Sequence, residues 1–392
     1  MKIAFIVQRY GLDIAGGSET LCRQIAEQLS PYHTIEILTT CAKDYVTWRN
    51  EYPKGTEIVN NIVVRRFRVE KERNPVIFDI FTQIMFRLLH RLKDEEQWII
   101  DQGPYTPLLI NFIKIHKDEY DLFVFFTYRY YPSIFGLPLV IEKSILVPTA
   151  ENERTLDLAI IKKFFTLPKT FIFLTEQEKN LLDSRYNIGK KKHDIIGMGV
   201  TVPQMINGTK FIKKFNITSD FIVYVGRVDK NKGCKQLFDY FIRYKSEYPS
   251  EIKLVIIGKA EMRIPKNPDI IFLGFLSESD KFDGIGASKV LIMPSPFESY
   301  SIAVTEAMAL GRAILVNEKS DVLKAHCQIS NGGYYYSNYQ EFATNLNKLL
   351  SDQDLSMQMG LRGKEYIQSN YTWDRIQRKY LKLFDSVLKD TA

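Results

Sequence analysis

Short apolar runs alternate with longer amphipathic stretches along this chain, and this alternation limits its fold more than any other feature. Several runs are apolar at every position, as expected for parallel strands that are buried on both faces of a sheet. The strand candidates are Ile3–Val7, Ile35–Thr39, Ile62–Phe67, Leu122–Phe126, Ile145–Val147, Phe171–Leu174, Ile222–Val225, Leu254–Ile257, Ile270–Leu273, Val290–Met293 and Ile314–Val316. Helix candidates such as 20–29, 106–116 and 234–245 separate them. The pattern therefore predicts an α/β fold with doubly wound parallel sheets.

One polar and irregular segment, from Gly197 to Lys210, interrupts this alternation. It contains three glycines and one proline, a composition typical of a linker. We therefore expect two Rossmann-like domains in tandem, over residues 1–200 and 201–372. Ligands of such sheets bind beyond the carboxyl ends of the strands. Two facing sheets would thus form a cleft between the domains.

Composition and charge exclude several classes of protein. The 392 residues contain no run of about 18 apolar residues, so we expect no transmembrane helix. Met1-Lys2 leads directly into the first strand, so we expect no signal peptide. The four cysteines are far apart in the sequence and typical of thiols in a reducing cytoplasm, where we expect the protein. A net charge of +7 is too small for a nucleic-acid partner, but it suits anionic small molecules or an anionic membrane surface.

The strongest candidate site follows the strand predicted at 290–293. Glu298 lies in the loop after this strand, and Glu306 lies eight residues later, in the first turns of the next helix. The backbone N–H groups from about Ser299 to Ala303 would be the unpaired donors of a helix start, which bind anions. Carboxylates beside them could accept hydrogen bonds from sugar hydroxyls. On these residues alone, two surface glutamates near a helix start are an equal alternative.

Two other loops also follow predicted strands. One carries Arg227 and Lys232, and a guanidinium with an ammonium on the same loop suits a diphosphate, although a solvated basic turn is the alternative. The other carries Gly16 and Gly17. Adjacent glycines allow close backbone approach to a ligand, or they form an ordinary turn. Ser18 is predicted to cap the helix that follows them.

Together these motifs resemble the family-4 retaining glycosyltransferases of the GT-B fold, also called glycosyl transferases group 1. The resemblance spans essentially the whole chain and is strongest over 221–323. Glu298 and Glu306 match the family's E-x7-E element, which is followed here by Ala307-Met308 and Gly311. The resemblance implies two Rossmann-like domains that face each other across a cleft. It also implies that a C-terminal helix, at about 373–392, packs back on the first domain.

The resemblance further implies a role for each residue of the donor site. Glu298 would be the catalytic residue at the donor sugar, and Glu306 would bind the nucleotide ribose. Arg227 and Lys232 would hold the donor diphosphate. The other implied donor-binding residues are Ser299, Tyr300, Ser301 and Ile302 at the helix start, with Gly274 and Phe275 at the nucleobase. Many family members have glycine where Ser299 and Ser301 stand, so this loop has a less permissive backbone.

On the acceptor side, the resemblance places Gly16, Gly17 and Glu151 along the cleft. Many members have a histidine where Glu151 stands in this chain. The five histidines offer no replacement, and His326, for example, is expected in polar surroundings rather than in a catalytic role. The change at Glu151 therefore affects the usual contact with the acceptor or the activity itself.

The predicted function is transfer of a sugar from a UDP- or GDP-type nucleotide sugar to a glycan or lipid-linked acceptor, with retention, in surface polysaccharide or glycoconjugate synthesis. We expect neither a metal nor a cofactor, because basic side chains would stabilise the leaving diphosphate. The sequence Asp352-Gln353-Asp354 is interpreted as carboxylates at a helix start rather than a metal site. The alternatives are a sugar-nucleotide or glycan-binding module with weak or no turnover, and a GT-B nucleotide-sugar 2-epimerase.

A basic segment from Arg65 to Lys93 contains an aromatic, amphipathic stretch over 78–89. Helices of this kind lie at anionic bilayer surfaces. A helix that packs within its domain and has a solvated basic rim is an equal alternative. A lipid-linked acceptor would favour the first interpretation and a peripheral location at the inner face of the membrane.

Overall fold

The protein consists of two compact units. The computed structural model describes residues 1–14, 16–88 and 90–389. One unit runs from Met1 to Met198 and includes the chain from Ile376 onward, and the other runs from Gly199 to Arg375. Each unit is an α/β structure built on its own sheet.

The first unit is built on a sheet of eight strands, counted within the described residues. In chain order they are β1 (Lys2–Ile6), β2 (Thr34–Thr40), β3 (Gly55–Val59), β4 (Ile62–Phe67), β5 (Leu122–Phe126), β6 (Ser144–Val147), β7 (Thr170–Phe173) and β8 (Lys192–Ile195). Their order in the sheet is β3-β4-β2-β1-β5-β6-β7-β8. All neighbours are parallel except β3 and β4, which form an antiparallel hairpin at one edge.

The helices of this unit connect the parallel strands. They are α1 (Gly17–Leu29), α2 (Pro75–Met85), α3 (Leu92–Gln102), α4 (Pro107–His116), α5 (Tyr131–Gly136), α6 (Ala159–Phe165) and α7 (Glu176–Tyr186), with short 3-10 turns at Lys117–Glu119, Leu137–Leu139, Ile141–Lys143 and Arg154–Asp157. In α1, Leu21, Ile25 and Leu29 are buried at helical spacing. This apolar stripe holds the helix in the core.

The second unit is built on six parallel strands, again counted within the described residues. They are β9 (Phe221–Val225), β10 (Lys253–Ile257), β11 (Ile270–Gly274), β12 (Val290–Met293), β13 (Ala313–Asn317) and β14 (Gly333–Tyr336), in the order β11-β10-β9-β12-β13-β14. The helices are α8 (Gly208–Lys214), α9 (Cys234–Glu247), α10 (Glu278–Ala287), α11 (Ile302–Ala309), α12 (Asp321–Ser330), α13 (Tyr339–Ser351) and α14 (Gln353–Asn370). All residues of β9, β12 and β13 are buried, because helices cover both faces.

The last helix, α15 (Trp373–Lys389), begins in the second unit and continues in the first. Ile376, Tyr380 and Phe384 are buried at helical spacing. Gln377 donates to the carbonyl of Gln28 at 2.5 Å, and Lys379 donates to that of Ile195 at 2.9 Å. These contacts join α15 to the first unit. The final three positions of the helix predicted at 373–392 lie outside the described residues.

Every predicted strand lies within one residue of an observed strand. The prediction missed β3, β8 and β14, which are all edge strands. These three strands contain polar residues, charged residues or glycine, so they lack the uniformly apolar composition used to find the others. β11 also lies at an edge but has an apolar sequence, and it was predicted. The linker predicted over 197–210 is wrong at its end, because Asn207 accepts a hydrogen bond from the backbone N–H of Lys210 and caps α8.

Two glycines at adjacent strand ends hold the loops of the second unit together. Gly226 follows β9 with φ 152°, and Gly258 follows β10 with φ 146°. A Cβ added to Gly258 would lie 1.8 Å from the carbonyl oxygen of Gly226. This position therefore requires glycine for both its backbone conformation and its space.

We expect Gly258→Ala to destabilise the second unit by about 3 kcal/mol, since the added methyl overlaps backbone that cannot move freely. The matched control is Gly363→Ala on α14, where the nearest side-chain atoms of Met308 are 3.4 Å from an added Cβ. That change should alter stability by less than about 1 kcal/mol. Urea unfolding followed by circular dichroism measures the stability of both variants. Equal unfolding midpoints for the two would contradict the requirement for glycine at position 258.

Candidate active site

The loop between β9 and α9 carries the basic residues that the sequence analysis singled out. Arg227 is about one-third exposed, and its Nε donates to the carboxylate of Asp229. The same Nε lies 3.7 Å from Oε2 of Glu261. The hydroxyl of Tyr224 donates to the carbonyl of Arg227 at 2.6 Å. Arg227 is thus held at the carboxyl end of the sheet by a carboxylate, with about one-third of its side chain exposed.

Lys232 and Glu298 meet directly, although they are 66 residues apart. Nζ of Lys232 donates to Oε1 of Glu298 at 2.8 Å, and the two side chains are 25% and 11% exposed. The backbone N–H of Lys232 donates to Oδ1 of Asp229 at 2.7 Å. The buried carboxylate of Asp229 therefore accepts hydrogen bonds from both Arg227 and Lys232. Sequence analysis missed Asp229, although a carboxylate between two cations on one loop was a signal for it.

The two loops also contact each other through their backbones. Gly233, at the start of α9, has φ 73°, and a Cβ there would lie 2.3 Å from the carbonyl oxygen of Pro294. The same carbonyl accepts a hydrogen bond from the side chain of Asn317 at 3.0 Å. Ser295 donates to the carbonyl of Phe297 at 2.7 Å and shapes the turn before Glu298. The spacing between Lys232 and Glu298 thus depends on backbone packing as well as on their charges.

The start of α11 has an unusual backbone. Ser301 precedes Ile302 as the N-cap residue, with φ 69° and ψ 81°, and its side chain makes no capping hydrogen bond. Left-handed conformations are costly for residues other than glycine. The first N–H groups of α11 lack partners within the helix and are oriented toward its N-terminal end. The predicted helix start after Glu298 is confirmed, with its first residue at Ile302.

His326, on α12, holds the residue before this cap. Its Nε2 lies 3.1 Å from the carbonyl oxygen of Tyr300, and its Nδ1 lies 3.2 Å from the hydroxyl of Tyr366. The imidazole is 2% exposed and packs edge-on against the rings of Tyr300, Tyr366 and Tyr371. Burial lowers the pKa of His326 to about 4. Neutral His326 therefore donates from Nε2 and accepts at Nδ1. The predicted polar surroundings hold only at these two nitrogens, because the ring itself is buried among aromatic side chains.

Glu306 is a buried carboxylate with a different lysine partner. Its Oε1 accepts from Nζ of Lys281 at 2.7 Å, and Lys281 also donates to Glu278 at 2.9 Å. Burial raises the pKa of Glu306 to about 6, against the opposite effect of the Lys281 charge. Glu298 and Glu306 therefore belong to two separate ion pairs. Lys281 was not identified from the sequence, because a lysine within an ordinary helix carries no motif.

Gly274 and Phe275 lie at the end of β11. Gly274 has φ 74°, and an added Cβ there would meet no atom within 4 Å. The side chain of Phe275 is 65% exposed. This pair is thus an open turn that presents an aromatic ring at the carboxyl edge of the sheet.

In the first unit, Gly16 and Gly17 begin α1. Gly16 is the N-cap in an extended conformation, and no side-chain hydrogen bond caps the helix, so the predicted capping by Ser18 is wrong. A Cβ on Gly16 would lie 2.2 Å from Oε2 of Glu19. Buried Glu19 accepts from Nε of Arg9 at 2.8 Å. Gly16 is therefore required by a buried ion pair, whereas an added Cβ at Gly17 would have open space.

Glu151 follows β6 in a loop that a buried carboxyl group holds in place. Oε1 of Glu178 accepts from the backbone N–H of Ala150, and Oε2 accepts from that of Leu174, both at 2.7 Å. Burial, with a smaller contribution from the charge of Glu151, raises the pKa of Glu178 to about 8, against the lowering effect of the two backbone hydrogen bonds. Sequence analysis missed Glu178, since its role depends on contacts with two other loops.

The described residues contain no group of three or more His, Cys, Asp or Glu side chains that could hold a metal ion. Asp352 caps α14 by accepting from the backbone N–H of Leu355 at 2.9 Å, as predicted for a helix start. In the same part of the chain, no helix is both long and apolar enough to cross a membrane.

We expect the stability of the protein to fall as pH decreases from about 6.5 to about 4, in part because of His326. Its folded pKa lies below the unfolded value of 6.5, so protonation of the unfolded chain removes this contribution as pH falls. The effect reaches about 3 kcal/mol at pH 4. His326→Gln, which cannot titrate, should show a flatter profile in urea unfolding. Profiles of equal slope would contradict the burial of a neutral imidazole.

Comparison with known proteins places this site in a family context. The model of the family Glycosyl transferases group 1 matches residues 207–366. An uncharacterized glycosyltransferase of Methanocaldococcus jannaschii is 24% identical over 173 residues, which cover 42% of this chain and 44% of the relative. The N,N'-diacetylbacillosaminyl-diphospho-undecaprenol alpha-1,3-N-acetylgalactosaminyltransferase of Campylobacter jejuni is 24% identical over 255 residues, covering 59% and 64%. The chain thus spans about half the length of the curated relatives it matches.

Solved structures resemble the chain over almost its whole length. Sucrose-phosphate synthase of Thermosynechococcus elongatus has a TM-score of 0.72 at 14% identity and covers 99% of both chains. HepE of Anabaena, in a complex with UDP and glucose, has a TM-score of 0.70 at 14% identity and covers 98% of this chain and 100% of that one. Identities this low establish the fold alone. The protein therefore has the GT-B fold, and residues 207–366 carry the sequence pattern of glycosyl transferases group 1.

Proposed function

We propose that this protein is a glycosyltransferase that moves a sugar from a nucleotide diphosphate donor to a glycan or lipid-linked acceptor. The observation that carries the proposal is the 2.8 Å contact between Lys232 and Glu298, beside Arg227. It brings a cation suited to a diphosphate next to a carboxylate suited to a sugar. In a nucleotide sugar, the diphosphate and the reacting carbon are adjacent in the same way.

The donor diphosphate would bind at Arg227, Lys232 and the first N–H groups of α11, beginning at Ile302. These groups would stabilise the negative charge that develops as the bond between sugar and diphosphate breaks. Because they are fixed before the reaction, little reorganisation is needed. We propose that the enzyme requires neither a metal ion nor a cofactor. The donor is of UDP or GDP type, and the UDP in the HepE complex supports a UDP-type donor.

The other candidate residues would bind the remaining parts of the donor. Glu298 would contact the sugar at the reacting centre. Glu306 would accept hydrogen bonds from the ribose hydroxyls. The ion pair with Lys281 stabilises the charged carboxylate that this role needs. Phe275 would stack on the nucleobase with its exposed ring. Retention of the anomeric configuration is proposed from the resemblance to family-4 enzymes.

Gly16, Gly17 and Glu151 would lie on the acceptor side. The named activity of the Campylobacter relative supports a lipid-linked acceptor, and a Staphylococcus aureus relative named for capsular polysaccharide biosynthesis supports a role in surface glycans. The Staphylococcus aureus relative is 22% identical over a match that covers 47% of this chain and 52% of the relative. We propose that the protein works in the cytoplasm, at the inner face of the membrane when its acceptor is lipid-linked.

A thermal-shift panel of UDP- and GDP-sugars tests donor binding directly. A ligand at 100 times its Kd should add about 2.7 kcal/mol to the stability of the folded state. The stabilising sugar is then incubated with the protein to detect free nucleotide and transfer products. Binding without either product would indicate a sugar-nucleotide-binding module, and a changed sugar on an intact donor would indicate an epimerase.

Replacing Arg227 or Lys232 by Ala should weaken binding of the nucleoside diphosphate by about 1.5–3 kcal/mol, the range for hydrogen bonds to charged groups. The matched control is Lys230→Ala, which removes an exposed cation from the same loop. The affinity of Lys230→Ala for the nucleoside diphosphate should stay near that of the wild type, since an exposed charge contributes little to binding. Calorimetric titration with the product nucleotide measures all three variants. Equal affinities for all of them would overturn the diphosphate assignment.

Glu298→Gln and Glu306→Gln should have different effects on catalysis. We expect Glu298→Gln to lower kcat and kcat/KM together, because its contact with the sugar strengthens in the transition state. Glu306→Gln should chiefly weaken binding of the donor and of the product nucleotide. Steady-state kinetics and product titration measure both variants. Loss of product affinity in Glu298→Gln alone would reverse the two roles.

A further inference from the structure

The chain enters the second unit at Gly199 and leaves it soon after α14, and these two segments are joined to each other. The backbone N–H of Val200 donates to the carbonyl of Tyr371 at 2.9 Å. Nε1 of Trp373 donates to the hydroxyl of Thr201 at 2.8 Å. A Cβ added to Gly199 would lie 2.4 Å from Cδ2 of Trp373. These five residues together are called here the junction.

The side chain of Tyr371 extends from the junction into the aromatic cluster behind the start of α11. Its ring lies edge-on to those of Tyr300, His326 and Tyr366, with centroid distances of 5.6 Å, 6.3 Å and 5.5 Å. Tyr300 is buried and directly precedes Ser301, the N-cap residue of α11. Edge-on aromatic pairs are favourable beyond the area that they bury. Tyr371 therefore packs directly against the residue before the cap.

Three hydrogen bonds connect the hydroxyl of Tyr371 to the backbone at the cap, and all of them run in one direction. Nε2 of His326 carries the proton, because its partner, the carbonyl of Tyr300, can only accept. Nδ1 of the neutral ring then accepts, so the hydroxyl of Tyr366 donates to it at 3.2 Å. The single hydroxyl proton of Tyr366 is thereby used, so Tyr371 donates to Tyr366 at 3.1 Å. Each bond in such a chain polarises the next.

We infer that Tyr371 and Tyr366 are positioning residues of the proposed donor site, through which the junction holds the diphosphate-binding start of α11. They fix the imidazole of His326, which in turn fixes the carbonyl of Tyr300. Ser301, with φ 69°, keeps its left-handed backbone only where surrounding contacts hold it. The inference rests on the proposed function, because it names residues that order the same diphosphate site.

Tyr371 takes part in both ends of this arrangement. Its carbonyl accepts from Val200 at the junction, and its hydroxyl begins the chain that leads to the cap. A displaced junction should therefore disturb the cap. A diphosphate bound at the cap should in turn restrain the junction, because coupling between two sites is reciprocal.

The hydroxyl chain is tested with Tyr371→Phe and Tyr366→Phe, which keep the aromatic rings. The matched control is Tyr336→Phe in the same unit, because the hydroxyl of Tyr336 is buried without a hydrogen-bond partner among the described residues. The probes are UDP and uridine, with GDP and guanosine in parallel, in calorimetric titrations. We expect both variants to bind the diphosphate about threefold to tenfold more weakly, as for loss of a hydrogen bond. Their affinity for the nucleoside, and both affinities of the control, should match the wild type.

The junction is tested with Gly199→Ala, in which the added methyl displaces Trp373. The matched control is Gly286→Ala on α10, where an added Cβ would lie equally close, 2.4 Å, to Cγ2 of Ile206. We expect Gly199→Ala to weaken diphosphate binding about fivefold or more, and the control to bind like the wild type. In the double variant with Tyr366→Phe, the two losses should be less than multiplicative, because both changes act through the same contacts.

Hydrogen exchange over residues 299–306 gives a readout that needs no nucleotide. Within this segment the N–H of Thr305 donates to the carbonyl of Ser301 at 3.2 Å, in the first turn of α11. In the ligand-free protein, the segment should exchange faster in Tyr366→Phe and Gly199→Ala than in their controls. Matching melting curves show that the variants remain folded.

The inference is overturned if exchange over 299–306 is the same in variants and controls, or if their diphosphate affinities are equal. Equal losses of affinity for UDP and uridine would also overturn it, because they indicate a general loosening of the unit. A wild type that binds neither UDP nor GDP would refute the proposed function. The exchange rates of the ligand-free protein would still decide whether Tyr366 and the junction position the start of α11.

Discussion

Burial of the second unit's parallel sheet on both faces is the constraint on which the candidate site depends. Helices cover the sheet, so charged groups have access to solvent only where the strands end. The loops after β9, β10 and β12 are then packed backbone to backbone. Gly258 lies against Gly226, and Gly233 lies against Pro294. Close backbone packing of this kind leaves little freedom in the distance between Lys232 and Glu298.

The charges at this edge are paired within the protein, and this pairing keeps them in place. Lys232 contacts Glu298, Lys281 contacts Glu306, and Arg227 contacts Asp229. For a buried pair, desolvation offsets much of the attraction, but removal of one partner leaves an uncompensated charge at a cost of about 3–5 kcal/mol. The buried pair of Lys281 and Glu306 therefore has a role in the stability of the fold, and it is also a candidate ribose site. Isosteric changes such as Glu306→Gln separate these roles better than truncations.

Sequence patterns predicted the buried strands, because uniform burial requires uniformly apolar residues. The edge strands β3, β8 and β14 lack that signature and were missed. Motif residues such as Glu298 and Arg227 were visible because they follow strands. Asp229 was missed although it lies on the same loop as Arg227. Lys281, which pairs with Glu306, and His326, which contacts Tyr300, were not visible, since their roles arise from contacts between distant segments. The same holds for α2, whose aromatic stretch was visible but whose outward face was set by packing on Trp98.

The cap of α11 shows how this chain can dispense with a glycine at a turn. Many members of the family it resembles have glycine at the position of Ser301, where the backbone here is left-handed. A serine in that conformation costs about 1–2 kcal/mol. His326 offsets part of this cost, because its neutral imidazole donates to the carbonyl of Tyr300 from a buried position. A glycine would permit this turn and many others, whereas serine has fewer accessible backbone conformations. The helix start that would bind the diphosphate is therefore ordered before a ligand arrives, which lowers the entropy lost on binding.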